Sequence, residues 1–453
     1  VKRVYIPKDT APGVYTGAIE VKEAGKITWR VPLDLRVRGF SLPDVPTAKT
    51  MLQLGYADIN ERYLGKRFPD QGEALAEGSL RIRDRHFQLA HRHRVSVIDS
   101  NYGPEVWDKD EPRPGWKARL DGSLFRPDRG YDGTGVGVGN GIFSIGTYGQ
   151  WSWKDQGESG MHQHLDTWAR WSEQNAPGTE LLLYLIDESD DFERIERWSK
   201  WVVSNKGPGR SVRSCATLGA PWAVKSTPSL DIACSTLKVG QKTRWERAVA
   251  ALTTDPRKRF HLYNGARPGT GSLALEDEGT ALRMWGWTQF KTGADRWFVW
   301  ESTYYNDFQG GHGQTNVFQS AHTFGGKSES PSPELGETGW NYTNGDGVLF
   351  YPGTDTIFPA ESYELPGPIA SLRLKHWRRG LQDHDYLVLA SRVDAKKTRL
   401  HLDKLIPKVL WENDIDNPLD PTYTHTDISW PAEAEPWEAA RAALADIIEA
   451  GTK

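Results

Sequence analysis

The sequence is poor in cysteine, has no long apolar run and carries no large excess of either charge. Only two cysteines, Cys215 and Cys234, stand in 453 residues, each inside a predicted strand. Neighbouring strands would let them form a disulfide, but as small apolar side chains they read first as two buried thiols. No apolar stretch is long enough to span a bilayer, so a membrane-spanning segment is excluded. Lys and Arg number 56 against 60 Asp and Glu, a net charge of −4. No basic stripe is interleaved with aromatics, so nucleic acid is not an expected partner. Nor is there a Cys/His set with zinc spacing. His91 with His93, and His162 with His164, lie two apart, which on a helix turns them to different faces. No metal and no other cofactor is expected. Gly325-Gly326-Lys327-Ser328 lacks the earlier glycine and the preceding strand of a phosphate loop. No secretory leader is visible, and a first residue of Val1 reads as a processed or truncated start.

What the chain does have is aromatic surface. It holds 20 Trp and 16 Tyr beside a hydrophobic fraction of only 38%. Trp fills cores well, but Trp151 and Trp153 fall in a predicted loop, which inclines them towards ligand contact.

Residues 1–45 read as short strands punctuated by Pro/Gly turns, with Val31, Leu33, Leu35 and Val37 alternating along one of them. So few strands cannot build an independent core, and they are expected to end an amino-terminal β-sandwich. From about residue 46 the rhythm becomes strand, loop, helix. Strand starts at Met51, Val95, Ile142, Leu181, Val212, Leu230, Phe260 and Trp297 make eight. Helices are expected between them, among others over 74–92, 160–174, 192–204, 242–252 and 275–290. Eight alternating repeats predict an α/β fold, a (β/α)8 TIM-like barrel over 46–395. An open doubly wound sheet is the alternative. Residues 396–453 are expected to form a helical extension packed on the barrel.

The most informative motif is Asp187-Glu188, which ends the apolar run Leu181 to Ile186. Such a run reads as a strand buried on both faces, and barrels build their active sites at the carboxyl ends of their strands. Adjacent carboxylates push one another's pKa values apart, leaving an acid beside a base near neutral pH. The competing reading is a helix start. Asp187, Glu188, Ser189 and Asp190 precede the amphipathic stretch Phe192, Ile195, Trp198, Val202, and such residues favour helix N-termini.

Two further segments carry a resemblance. Asn344-Gly345-Asp346-Gly347-Val348-Leu349-Phe350-Tyr351-Pro352-Gly353, followed by Gly367 to Leu374 and Arg379-Gly380-Leu381-Gln382-Asp383-His384-Asp385-Tyr386-Leu387, resembles the carboxyl-terminal part of the glycoside hydrolase family 123 catalytic domain. Pro7 to Gly17 resembles the end of that family's amino-terminal β-sandwich. The resemblance implies a retaining exo-β-N-acetylgalactosaminidase acting on an oligosaccharide or glycoconjugate. In that chemistry the substrate's own 2-acetamido oxygen attacks the anomeric carbon, and no enzyme nucleophile is needed. The family's Asp-Glu pair maps onto Asp187 and Glu188. Glu188 would protonate the leaving oxygen and then activate water, while Asp187 would orient the acetamide N–H. A secreted or periplasmic location follows from that function alone.

Around this centre, strand ends supply candidate substrate contacts: Trp300, Glu301, Tyr304 and Tyr305 after the eighth strand, Tyr263 and Asn264 after the seventh, Asp99 and Asn101 after the second, and Trp151. Each could equally be an ordinary turn residue. Glu301 also serves a second reading, a glycosidase of other specificity or endo mode that pairs Glu188 with Glu301 or Asp187. A third reading is a non-catalytic carbohydrate-binding barrel. Asp383 and Asp385 are expected to be structural.

Overall fold

The computed structural model describes residues 6–69, 74–99, 110–113, 115–236, 241–265, 269–307, 313–327, 340–413 and 428–451. Its centre is an eight-stranded parallel sheet. The strands are β3 (Lys49–Leu54), β4 (Val97–Asp99), β5 (Ile142–Ile145), β6 (Glu180–Ile186), β7 (Arg213–Thr217), β8 (Ile232–Thr236), β9 (Arg259–Tyr263) and β10 (Arg296–Val299). They lie in the order β4-β3-β10-β9-β8-β7-β6-β5, and all eight begin within two residues of their expected starts. The (β/α)8 barrel is therefore the observed fold.

Among the described residues no backbone ladder joins β4 to β5. A side chain bridges this seam instead. Asn140 Oδ1 accepts from Val97 N at 2.8 Å, and its Nδ2 donates to the carbonyls of Val97 at 2.8 Å and Ile142 at 2.7 Å. An amide side chain has both a donor and an acceptor, so it can continue a ladder where the backbone cannot.

Strand alternation sorts the core into two layers. Met51, Ile98, Ile142, Leu182, Tyr184, Cys215, Ile232, Cys234, Tyr263 and Phe298 fill the barrel interior. Their neighbours Leu52, Val97, Phe143, Leu183, Ala216, Leu262 and Trp297 face the surrounding helices. Cys215 and Cys234 are both free thiols buried in the interior.

The surrounding helices include α1 (Tyr56–Leu64), α2 (Ala74–Arg92), α3 (Trp116–Leu120), α4 (Gly157–Asn175), α5 (Phe192–Ser204), α6 (Ala220–Ser226), α7 (Lys242–Thr254) and α8 (Met284–Thr292). The last of these starts nine residues later than expected. Asp277 Oδ2 accepts from Ser272 N at 2.6 Å and Glu276 accepts from the Asn344 amide, so this acidic run fastens turns rather than opening a helix. Further along lie the long helices α9 (Leu372–Leu405) and α10 (Glu435–Gly451). Asp394 breaks α9 with φ −147°.

Asp383, from the signature segment, is fully buried. It takes Arg283 Nε at 2.7 Å, Arg441 Nη1 at 2.6 Å and the Trp287 indole at 3.0 Å, tying α8, α9 and α10 together. Asp385 accepts from Arg94 at 2.6 Å and Thr47 Oγ1 at 2.7 Å. Both carboxylates are structural clamps. The α8–α9 approach also needs glycine, since a Cβ on Gly286 would lie 2.1 Å from the Gly380 carbonyl oxygen.

At the amino-terminal end, β1 (Gly13–Glu23) and β2 (Lys26–Val37) form one antiparallel hairpin. Trp29 is 70% exposed and Val14 69%. Among the described residues this hairpin has no further strands, so a β-sandwich is not observed. A cavity of about 700 Å³ lined by Lys49, Glu180, Arg213 and Arg259 opens at the N-terminal mouth of the barrel. Its charges are cross-paired, with Glu180 binding Arg213 at 2.7 Å and Arg296 at 2.8 Å. This end of such barrels serves stability, and chemistry belongs at the other.

Candidate active site

At the C-terminal mouth, β6 carries a bulge. Its register on β7 runs Leu183↔Ser214 and Tyr184↔Cys215, then skips Leu185 to pair Ile186 with Ala216. Strict alternation would send Asp187 outward with Leu181, Leu183 and Leu185. The bulge sets Leu185 and Ile186 both against the outer layer and returns Asp187 to the interior phase. Bulges commonly re-aim side chains beside active sites in this way.

Asp187 is held there by two hydroxyls. Tyr184 Oη and Thr217 Oγ1 each donate to Asp187 Oδ1 at 2.7 Å. Thr217 also accepts the Glu188 N–H at 2.5 Å, so one hydroxyl fixes both members of the pair. Glu188 has a left-handed φ of +42°, which an L-residue adopts at a cost of roughly 1–3 kcal/mol. That turn points its side chain out of the strand mouth, and it is exposed while Asp187 is half-buried. The dry surroundings expected of the acid are thus not enclosed by the described residues. The helix-start reading is met by another residue: Asp191, not the pair, caps α5 by accepting from Arg194 N at 3.0 Å.

Aromatic side chains floor the mouth. Tyr263 stacks on Phe298 with ring centroids 4.9 Å apart. Burial pushes the Tyr263 phenol up, and the charges of Asp187 and then Glu188 add to the push. Burial and Asp187 likewise hold the Tyr184 phenol well above its ordinary value. Tyr148, with φ +59°, lies over Tyr184 and Phe298 at 5.7 and 6.2 Å and donates its hydroxyl to the Trp300 carbonyl. It therefore reaches from the loop after β5 to the loop after β10.

Trp300 packs against the same interior cluster. Its indole donates to Asp346 Oδ1 at 3.0 Å, and Tyr304 lies 5.1 Å away. Gly347 makes room for both, because a Cβ there would come within 2.8 Å of Tyr304 and 2.9 Å of Trp300. Asn264, at φ +55°, accepts from Trp300 N at 3.0 Å through Oδ1 and from the Trp297 indole at 2.8 Å through its carbonyl. It positions the tryptophan.

The other candidates lie elsewhere. Glu301 is 4% exposed. Its Oε1 accepts from the backbone N–H groups of Gly55 at 3.1 Å, Ser302 at 2.7 Å and Thr303 at 3.0 Å, which ties the end of β10 to the end of β3. Tyr305 is fully buried and donates to the Phe350 carbonyl at 2.8 Å. Asp99 accepts from the Trp116 indole at 3.2 Å on the outer side of the barrel. Asn101 lies outside the described residues. Trp151 is buried against Trp153 and Trp198, and its indole donates at 3.0 Å to the carbonyl of Leu185, the residue skipped in the bulge. Rather than contacting ligand, it supports the bulge from behind.

Sequence reasoning missed Tyr148, Tyr184 and Thr217. Tyr184 was legible in principle, as the only hydroxyl within the apolar run that leads to the pair. Nothing local marked the other two. The histidine pairs are dispersed: His91 bonds Tyr131 and Val138, and His164 bonds Asp110. No metal-holding group of His, Cys, Asp and Glu occurs among the described residues.

No family model matches this sequence, and no curated protein does. Among solved structures, a family 123 glycoside hydrolase from Clostridium perfringens, studied for glycolipid glycan hydrolysis, aligns with 98% of this chain and 76% of its own. The TM-score is 0.54 and the identity 12%, a likeness that establishes a shared fold. A β-glucuronidase from Ruminococcus gnavus (TM-score 0.30, 8% identity) covers 81% of this chain, which spans only 57% of that enzyme. Sph3 from Aspergillus clavatus in complex with GalNAc scores 0.25 at 15% identity, over 61% of this chain and 96% of its own. Superpositions that loose share too little geometry to bear on function.

Proposed function

We propose that the chain is a glycoside hydrolase that removes a terminal β-linked 2-acetamido sugar, N-acetylgalactosamine by the sequence resemblance, with retention of configuration. The observation that supports this reading is the pair at the barrel mouth: Asp187 turned inward and fixed by Tyr184 and Thr217, with Glu188 beside it and open to solvent. Two donors occupy Asp187 Oδ1, which leaves Oδ2 to accept the acetamide N–H and steer its oxygen towards the anomeric carbon. Glu188 is the proton donor to the leaving oxygen and then the base for water. Its exposed position suits a group whose partner is the departing part of the substrate. A two-carboxylate scheme through Glu301 lacks support, because backbone N–H groups bind Glu301 Oε1 at the end of β3.

The test is hydrolysis of aryl β-GalNAc, β-GlcNAc and unsubstituted β-galactoside by wild type, Asp187→Asn and Glu188→Gln. The reading expects cleavage of 2-acetamido sugars only, falling by at least about 100-fold in either variant. Equal cleavage of the galactoside would overturn substrate assistance.

A further inference from the structure

Three consecutive helices, α5, α6 and α7, follow β6, β7 and β8 and so begin on the C-terminal side of the barrel, the side that carries the carboxylate pair. Phe192 opens α5, four residues after Glu188. Trp222 is the third residue of α6, five after Thr217. Arg244 is the third residue of α7. These side chains converge. The Phe192 and Trp222 rings stack with centroids 6.0 Å apart and planes 17° apart. The Arg244 guanidinium lies 4.7 Å from the Trp222 ring centroid, and Lys225 Nζ lies 5.7 Å from it. Trp222 nevertheless remains 44% exposed, on a chain whose other tryptophans on the surrounding helices are mostly buried.

Among the described residues neither cation is neutralised. Arg244 Nη1 donates to the uncharged Gln241 amide oxygen at 2.9 Å, and among the described residues no carboxylate lies within ion-pair distance of Arg244 or Lys225. Asp191, next to Phe192, is taken up by Arg194 at 2.9 Å. In a chain of net charge −4, two cations with no carboxylate partner among the described residues, set against an exposed indole on the helices that follow β7 and β8, form a selective feature. A guanidinium offers paired N–H donors to a carboxylate or sulfate, and an indole offers an apolar face to a sugar ring.

We propose that Trp222, Arg244 and Lys225 form a subsite for an acidic sugar on the leaving-group side of the scissile bond, a ring bearing a carboxylate or a sulfate ester. This rests on the glycosidase reading above. It adds that the preferred substrate is an anionic glycan rather than a neutral one.

The experiment compares four substrates that share the same terminal 2-acetamido sugar. One is its aryl glycoside, too short to reach the rim, and one is a neutral trisaccharide. The other two are that trisaccharide with a uronic acid, or with a sulfated sugar, beyond the cleaved bond. At low salt, wild type is expected to show a KM about tenfold lower for at least one acidic trisaccharide than for the neutral one. Which of the two is preferred identifies carboxylate or sulfate as the anion. The preference disappears in Arg244→Gln/Lys225→Gln. Trp222→Ala raises KM on every trisaccharide, while the aryl glycoside retains its wild-type kcat/KM and so reports an intact fold. Equal KM values for neutral and acidic substrates, or a preference that survives the double variant, overturns the subsite and leaves the glycosidase reading intact. Absence of cleavage on all four substrates overturns the glycosidase reading itself, and the subsite with it.

Discussion

Tyr184 donates its hydroxyl to Asp187 Oδ1 across 2.7 Å although Asp187, the first residue past β6, stands three positions on. In a regular strand that spacing puts side chains on opposite faces. They meet because β6 skips Leu185 in its register with β7. Tyr184→Phe keeps the buried ring and removes only the donor. The expected result is a drop of about tenfold in kcat/KM on a 2-acetamido aryl glycoside, with a stability loss near 1 kcal/mol by denaturant titration. Wild-type kinetics would show that Asp187 needs no such support.

Thr217 serves both carboxylate residues through one hydroxyl. Thr217→Val conserves shape but strips Asp187 of a donor and the strained Glu188 backbone of its acceptor. A fall in kcat on the order of 100-fold is expected, with Thr217→Ser restoring most of it. Failure of serine to rescue would mean that the methyl group, not the hydroxyl, matters.

Trp151 separates support from contact. Its indole N–H is committed to the Leu185 carbonyl. Trp151→Phe should therefore lower kcat several-fold, as Asp187 loses its fixed aim, and leave KM alone. A raised KM at constant kcat would return Trp151 to the substrate.

These three residues also show where the sequence was legible and where it was not. The eight strands announced themselves through short apolar runs between polar flanks, and Asp187-Glu188 stood at the end of the longest. The bulge left no mark, since Leu181 to Ile186 is apolar at every position and its alternation is invisible. Trp151 looked like a ligand platform because it lies in a loop, but the loop folds back over β6. Glu301 looked catalytic because it follows a strand. One position earlier in the alternation, Trp300 takes the inward place, and Glu301 turns to the backbone of Gly55.

Glu301 makes a stability prediction. Burial, with the charge of Asp58 adding to it, pushes this carboxyl up to about 8, against three backbone N–H groups that favour the ionised form. The folded protein then holds a proton that the unfolded chain releases near the ordinary value of 4.5, so the unfolded state binds fewer protons and stability falls as pH rises towards 8. His86 and His384, both buried, and half-buried His91, lowered from 6.5 to about 4 by loss of solvent, act the other way: stability rises with pH across that interval and stops changing above 6.5. Between pH 6.5 and 8 the Glu301 slope stands unopposed by these histidines. Denaturant midpoints measured through that window should fall in wild type and flatten in Glu301→Gln. An unchanged slope in the variant would assign the fall to other groups.

The barrel seam is open to the same kind of test. Asn140 makes three buried hydrogen bonds between β4 and β5. Asn140→Ala leaves the Val97 N–H without its partner and should cost about 3 kcal/mol in unfolding free energy. A loss below about 1 kcal/mol would mean that water or the backbone takes over the seam.

The proposed nucleophile is the acetamido oxygen of the substrate, steered by Asp187. It is tested most directly with aryl glycosides whose N-acetyl group carries zero, one, two or three fluorines, which weaken that oxygen stepwise while changing its size little. In wild type kcat/KM is expected to fall steeply with each fluorine, and in Asp187→Asn the dependence is expected to shrink. A flat series in wild type would contradict it and require a nucleophile from the protein.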